Sequence, residues 1–348
     1  MKFFLNLTFC LLVGLLLPAW GRAQMPEPPG QVAPGDPPKY EAYLFAHMMQ
    51  GDYGKLYYSV SLDGLHWQIL NGGKCVFEDY HGHASICQGH DGRYYLVGNR
   101  GDDAPDINFW VSDDLITWKK YSDFTPDLKH VPDYPKTLAR IGAPKLFFDE
   151  ASSQYLLTWH TPHDLGKTDL PEPYWASQRT LYVTSKDLKN FSDPPRRLFP
   201  WDNIATIDVN IHKVDGIYYA VIKDERYPTL DWTTGKTIRI CESTNLLGPY
   251  SEPGPSVSPN FREAPTLIPS PNGKAWYLYY EQYPGVAYGL SVAATPAGPW
   301  FQAAGNQVPD WDKYYVPPKE RHGSMLPINR KQYDALVAAF GKSSSNQN

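Results

Sequence analysis

The sequence predicts an all-β chain closed into a five-bladed β-propeller, with a short helix at its C-terminal end. Three observations carry this. One phrase, a Ser, Thr or Ala followed by a turn residue and then an aromatic, occurs five times: SLDGLHW at 61–67, SDDLITW at 112–118, SKDLKNF at 185–191, STNLLGPY at 243–250 and ATPAGPW at 294–300. An apolar phrase precedes four of these: GRYYLVG at 92–98, QYLLTW at 154–159, GIYYAVI at 216–222 and AWYLYY at 275–280. Finally, HASI at 83–86 is echoed by HGSM at 322–325, near the other end of the chain. Internal repetition at this spacing is the signature of a repeat architecture, and a four-stranded meander of roughly 50–70 residues is the size of a propeller blade.

The elements follow in order. Residues 1–23 have a charged start, an apolar run and small residues, Gly21 and Ala23, where a signal peptidase would cut, so the expectation is a signal peptide and a secreted or periplasmic protein. Residues 24–39 are a Pro/Gly-rich linker. Residues 40–342 are the propeller domain and 343–348 a disordered tail. The first blade runs through AYLFAHMM, KLYYSV and SLDGLHW and lacks an innermost strand. HGSMLPI at 322–328 is expected to supply it and close the ring, which leaves no open edge. The four other innermost strands are HASICQG, GAPKLFF, DVNIHKV and EAPTLIP. The tail NRKQYDALVAAFG has apolar residues at 333, 336, 337 and 340 before Gly341, the pattern of a short amphipathic helix with a Gly stop.

The net charge of -5, with no basic stripe, argues against nucleic acid. No segment after residue 23 is apolar enough to span a membrane. The three cysteines past the leader, Cys75, Cys87 and Cys241, are an odd number, so a Cys75–Cys87 bridge is the most that is expected. The oligomeric state is left open.

In a propeller the starts of the innermost strands meet at one end of the axis. Here they are His83, Gly142-Ala143, Asp208, Glu263 and His322. Two carboxylates, Asp208 and Glu263, in equivalent places on different blades are costly to bury without purpose. They point to glycoside hydrolysis, in which one carboxylic acid protonates the leaving oxygen and a second group activates water. The acid needs a raised pKa, which burial and a neighbouring carboxylate supply. His81, His83 and His322 form an alternative three-histidine metal site. Arg262, Arg140, Trp159, His160 and Tyr283 lie at or near strand ends and are candidate sugar contacts; arginines there would suit an acidic sugar.

The phrases YLFAHM, SLDGLHW, GAPKLFFDE, TIDVNIHKVDGIYYAVIKDE, REAPTLI and RHGSM, in this order, resemble the five-bladed propeller enzymes of glycoside hydrolase family 43 and its clan, over roughly residues 41–340. The resemblance implies that Glu263 is the general acid and Asp208 the group that orients it and tunes its pKa. It implies an Asp general base where this chain has His83. His322 maps onto a histidine on the channel, which leaves open a structural calcium beside it; no cofactor is required. Three outcomes follow for the base: His83 itself, another carboxylate (Asp102, Asp103, Asp106 or Asp79), or sugar binding without cleavage. The expectation is an exported, exo-acting, inverting hydrolase of a plant or algal polysaccharide fragment, of the arabinofuranosidase, xylosidase or galactosidase kind. The alternatives are a non-catalytic carbohydrate-binding propeller and an anhydro-galactosidase-like hydrolase with a histidine in acid–base chemistry.

Overall fold

The computed structural model describes residues 38–101, 104–132, 134, 140–163, 171–283, 285–306 and 313–341. The expectations for the leader, most of the linker and the tail lie outside the described residues.

Five antiparallel sheets surround one axis. The first blade is Glu320–Ile328, Ala42–Met49, Asp52–Ser61 and Gln68–Ile69. The second is Ser85–Gln88, Tyr94–Asn99, Ile107–Ser112 and Lys119–Phe124. The third is Gly142–Asp149, Gln154–Pro162, Gln178–Ser185 and Arg196–Arg197. The fourth is Thr206–Val214, Ile217–Asp224 and Thr237–Ser243. The fifth is Arg262–Pro269, Trp276–Gln282, Ala287–Ala293 and Phe301–Gln302. The C-terminal strand pairs with Ala42–Met49 from Ala42↔Ile328 to Met49↔Glu320, as the HASI/HGSM echo predicts.

The fourth blade departs from the expected four strands. Its outer segment donates backbone N–H groups to the third strand only from Ser251, Gly254 and Val257, among the described residues. Pro253 and Pro255 lie between these donors and have no N–H to give.

The recurring Ser-x-Asp phrase has a local cause. Ser61, Ser112 and Ser185 each accept backbone N–H groups in the turn, and Asp63, Asp114 and Asp187 accept the N–H groups that follow. These are side-chain-closed turns, which Ser and Asp make readily. The aromatics that end the phrases pack between blades. Trp67 meets Tyr279 edge-on at 6.1 Å, Trp118 Nε1 donates to Tyr58 Oη at 2.8 Å, and Phe191 stacks on Phe124 at 4.3 Å. Burial of such rings is the main favourable term in the core.

The helix Arg330–Phe340 has a capping box formed by Asn329 and Gln332, and Leu336 is buried. Tyr333, Val337 and Phe340 pack on the core between the first two blades. Gly341 ends the helix, but in a right-handed conformation. Among the described residues no helix is long and apolar enough to cross a membrane. Cys75, Cys87 and Cys241 are free thiols, so the Cys75–Cys87 bridge does not form.

Candidate active site

Four innermost strands carry a β-bulge near their start, and the register defines which residues are equivalent. Gly142, Ile207 and Glu263 pair with His160, Lys223 and Glu281, and pairing resumes three residues later at Lys145, Asn210 and Thr266. On the closing strand Arg321 pairs with Met48 and Ser324 with Ala46. The bulged residues Ala143, Asp208, Ala264 and His322 all have positive φ, at 39°, 53°, 47° and 22°. A bulge turns a side chain out of the alternation of its strand, and here it turns Asp208 and His322 toward the axis.

This register corrects the sequence reading on one point. Asp208 and Glu263 are not in equivalent places. Asp208 corresponds to His322 and Ala264, whereas Glu263 sits one residue earlier, with Gly142, Ile207 and Arg321. Asp208 Oδ2 instead accepts the Ala264 N–H at 3.0 Å, so the two carboxylates are joined through neighbouring strands.

Below the bulges, small polar groups tie the strands into a ring. Ser324 Oγ accepts from Ile86 N, Ser85 Oγ from Leu146 N, and Thr266 Oγ1 from Met325 N, at 2.9–3.2 Å. Lys145, Ser85, Asn210, Thr266 and Ser324 line a central cavity of about 330 Å³.

At the mouth the charges are tightly coupled. Glu263 Oε1 lies 2.9 Å from His322 Nε2 and 3.4 Å from Arg321 Nη2, and its Oε2 accepts from Lys223 Nζ at 3.0 Å. Glu281 accepts from Arg321 Nε at 2.7 Å and from the His322 N–H at 3.0 Å. Lys223 also meets Glu225, which in turn pairs with Lys236. The Tyr283 ring lies 4.0 Å from Lys223 Nζ.

These contacts overturn the expected pKa of Glu263. Burial alone would raise it, but Lys223 and His322 outweigh burial and hold the carboxyl well below the usual range. Burial lowers the His322 pKa, yet Glu281 and Glu263 reverse this and raise it. The proton of the Glu263–His322 pair therefore sits on the imidazole. His83 is pushed well below its ordinary value by burial and by His322, Lys145 and His160. Its ring lies 4.4 Å from that of His322, and its Nε2 is hydrogen-bonded to Tyr53 Oη. Burial lowers His160 to about 4 and Lys145 to about 8, Asp208 opposing both shifts.

The structure thus gathers His83, Asp208, Glu263, His322, His160 and Tyr283. The remaining candidates are held by other contacts. Trp159 is 2% exposed within the core, packed against Phe124. Arg262 bonds the carbonyls of Asn260 and Phe261 rather than Glu263. Arg140 is exposed and lies over Tyr174. His81 is held by the Asn99 carbonyl at 2.9 Å. Among the described residues the groups of potential ligands are His83, Asp208 and His322, and Glu263, Glu281 and His322, not the three histidines. Asp106 pairs with Arg100 at 2.7 Å and shares a surface cavity with the exposed Asp79. Neither is a base at the axis. Asp102 and Asp103 lie outside the described residues.

The sequence reading missed Lys223, Glu281, Lys145, Arg321 and Tyr53. A signal for two of them existed. Lys223 and Glu281 are the charged residues that end the apolar runs IYYAVIK and WYLYYE, at the place where His160 ends YLLTWH.

A family model described as "Probable glycosyl hydrolase domain", related to glycosyl hydrolase family 43, matches residues 38–334. The chain belongs to this family. As a family-43-related glycosyl hydrolase domain, it has structural neighbours of the same kind. They include an exo-beta-1,3-galactanase from Phanerochaete chrysosporium with galactose, at TM-score 0.50 and 16% identity, over 68% of this chain and 53% of that one. A Glu-to-Gln variant of that enzyme with beta-1,3-galactotriose matches at TM-score 0.50 and 14% identity, over 75% and 53%. A thermostable family-43 glycoside hydrolase matches at TM-score 0.47 and 20% identity, over 65% and 73%. The chain thus spans about half the length of the galactanase chains, and at these identities the likeness concerns the fold. No curated protein sequence matches.

Proposed function

We propose that this domain is an exported hydrolase that removes a terminal sugar from a plant or algal polysaccharide fragment, with inversion. The observation that carries the reading is the convergence of Glu263, Asp208, His322 and His83 from four blades on one mouth. The Glu263–His322 pair, 2.9 Å apart, holds the proton that the leaving oxygen needs. Asp208 orients this pair through the Ala264 N–H. His83, kept neutral, accepts a proton from the attacking water. His160 and Tyr283 line the sugar site, and Arg321 and Lys223 favour a substrate bearing a carboxylate or many hydroxyls.

The test is release of monosaccharide from a panel of plant and algal oligosaccharides, galactans and uronate-bearing fragments included, by residues 24–348. The reading fails if Glu263→Gln and Asp208→Asn release sugar as fast as wild type.

One observation favours a second reading, sugar binding without cleavage. Glu263 is held ionised by Lys223 and His322, and no described carboxylate replaces the base. Affinity for an oligosaccharide that survives Glu263→Gln, without product at any pH, would establish it.

A further inference from the structure

His83 and His322 each have a buried Nδ1 with no hydrogen-bond partner. An imidazole nitrogen left bare in the interior forfeits the bond it would make in water. The two residues are 6% exposed, and Asp208 is 2% exposed. The three offer ligand atoms that all lie within 4.8 Å of one another. The Nε2 atoms are already held, His322 Nε2 by Glu263 at 2.9 Å and His83 Nε2 by Tyr53 Oη, which leaves Nδ1 as the uncommitted nitrogen of each ring. That is the outer arrangement of metal-bound histidines, whose second nitrogen is fixed by a carboxylate, carbonyl or hydroxyl so that the first faces the ion.

We propose that His83, Asp208 and His322 form a binding site for a divalent transition metal of borderline softness, such as zinc. Nitrogen and oxygen donors bind zinc at about 2.0–2.2 Å, so donors in a tetrahedral shell are roughly 3.3 Å apart, and a small side-chain rotation closes the present spacing. Two imidazoles and one carboxylate leave a fourth position for water. Calcium fits less well, because it takes six to eight oxygens, and the nearby Glu263 and Glu281 oxygens are engaged by Lys223 and Arg321. Resting on the hydrolase reading, in the metal-bound form the ion would take over from His83 the activation of the attacking water, while His322 would keep the Nε2–H that faces Glu263. The binding itself does not depend on that reading.

The experiment is equilibrium dialysis of the chelator-stripped full chain against zinc chloride, with cobalt(II) absorption as a second readout. One zinc per chain is expected, with visible cobalt bands. His83→Ala and His322→Ala should abolish both, and Tyr53→Phe should weaken binding about 10–100-fold with an unchanged melting temperature in the absence of metal. Lys145 faces Asp208, and Lys145→Met should bind more tightly. Zinc uptake unaffected by His83→Ala and Tyr53→Phe, absence of uptake, or uptake of calcium in preference to zinc would each overturn the proposal. Sugar release is measured separately. Zinc bound without hydrolysis refutes the hydrolase and leaves the metal site standing. Hydrolysis by stripped protein that takes up no zinc does the reverse.

Discussion

Lys223 Nζ lies 3.0 Å from Glu263 Oε2, and both side chains are buried or nearly so. This contact decides which group in the mouth carries the proton. An opposite charge at such range lowers a carboxyl pKa by about 1–3 units. It hands the acid's proton to His322 and makes the pair, rather than the carboxyl alone, the unit that titrates.

Glu263→Gln removes the charge while keeping the shape. Sugar release is expected to fall about 10²–10⁴-fold, the usual contribution of a general acid. Lys223 keeps Glu225 as a partner at 2.7 Å, so the fold should survive. Initial rates alongside circular dichroism check this.

Lys223→Met removes the cation that opposes burial at Glu263. The carboxyl then stays protonated to higher pH, so the alkaline limb of kcat/KM should move up. An unchanged pH–rate profile would show that Glu263 does not take part in proton transfer.

His83 is a base that stays neutral far into acid, because its pKa is pushed well below the ordinary range. The acid limb of kcat/KM should therefore lie below the usual histidine value of about 6.5. His83→Ala should lose about 10²–10⁴-fold, and His83→Asp should recover part of it. Equal loss in both variants would move the base elsewhere.

His47 and Glu320 give the fold a pH window of their own. They lie 3.5 Å apart at zero exposure, and burial neutralises both, taking His47 down to about 3 and Glu320 up to about 8. Between about pH 4.5 and 8 the folded chain keeps a Glu320 proton that the unfolded chain has released, so stability falls as pH rises. Between about pH 3 and 6.5 the unfolded chain takes up a His47 proton that the folded chain refuses, so stability falls as pH drops. The slopes, about 1.4 kcal/mol per pH unit at most, cancel between about 4.5 and 6.5. Glu320→Gln should abolish the decline from about pH 6.5 to 8, read as melting temperature against pH.

How much of this was legible depended on the kind of constraint. Blade count and ring closure were legible because Ser-x-Asp turns and the HASI/HGSM echo are local patterns that repeat. Asp208, Glu263, His83 and His322 were legible because they sit at the starts of recognisable strands. The offset between Asp208 and Glu263 was not, since a bulge adds one residue without marking the sequence. The depressed Glu263 pKa was not either, because Lys223 is 40 residues away and reaches it only across a sheet-to-sheet contact. Trp159 misled for the opposite reason: it neighbours His160, but alternation along a strand sends adjacent side chains to opposite faces.

The pairing of Glu320–Ile328 with Ala42–Met49 also sets the order in which the molecule is completed. During synthesis Ala42–Met49 leaves the ribosome before the other four blades, and its innermost partner, Glu320–Ile328, follows all of them. A nascent chain that has four finished sheets still holds Ala42–Met49 with one edge bare. The ring can lock only when residue 328 has been released, so a prematurely terminated chain should be cleared by proteases rather than accumulate as a shorter, stable form.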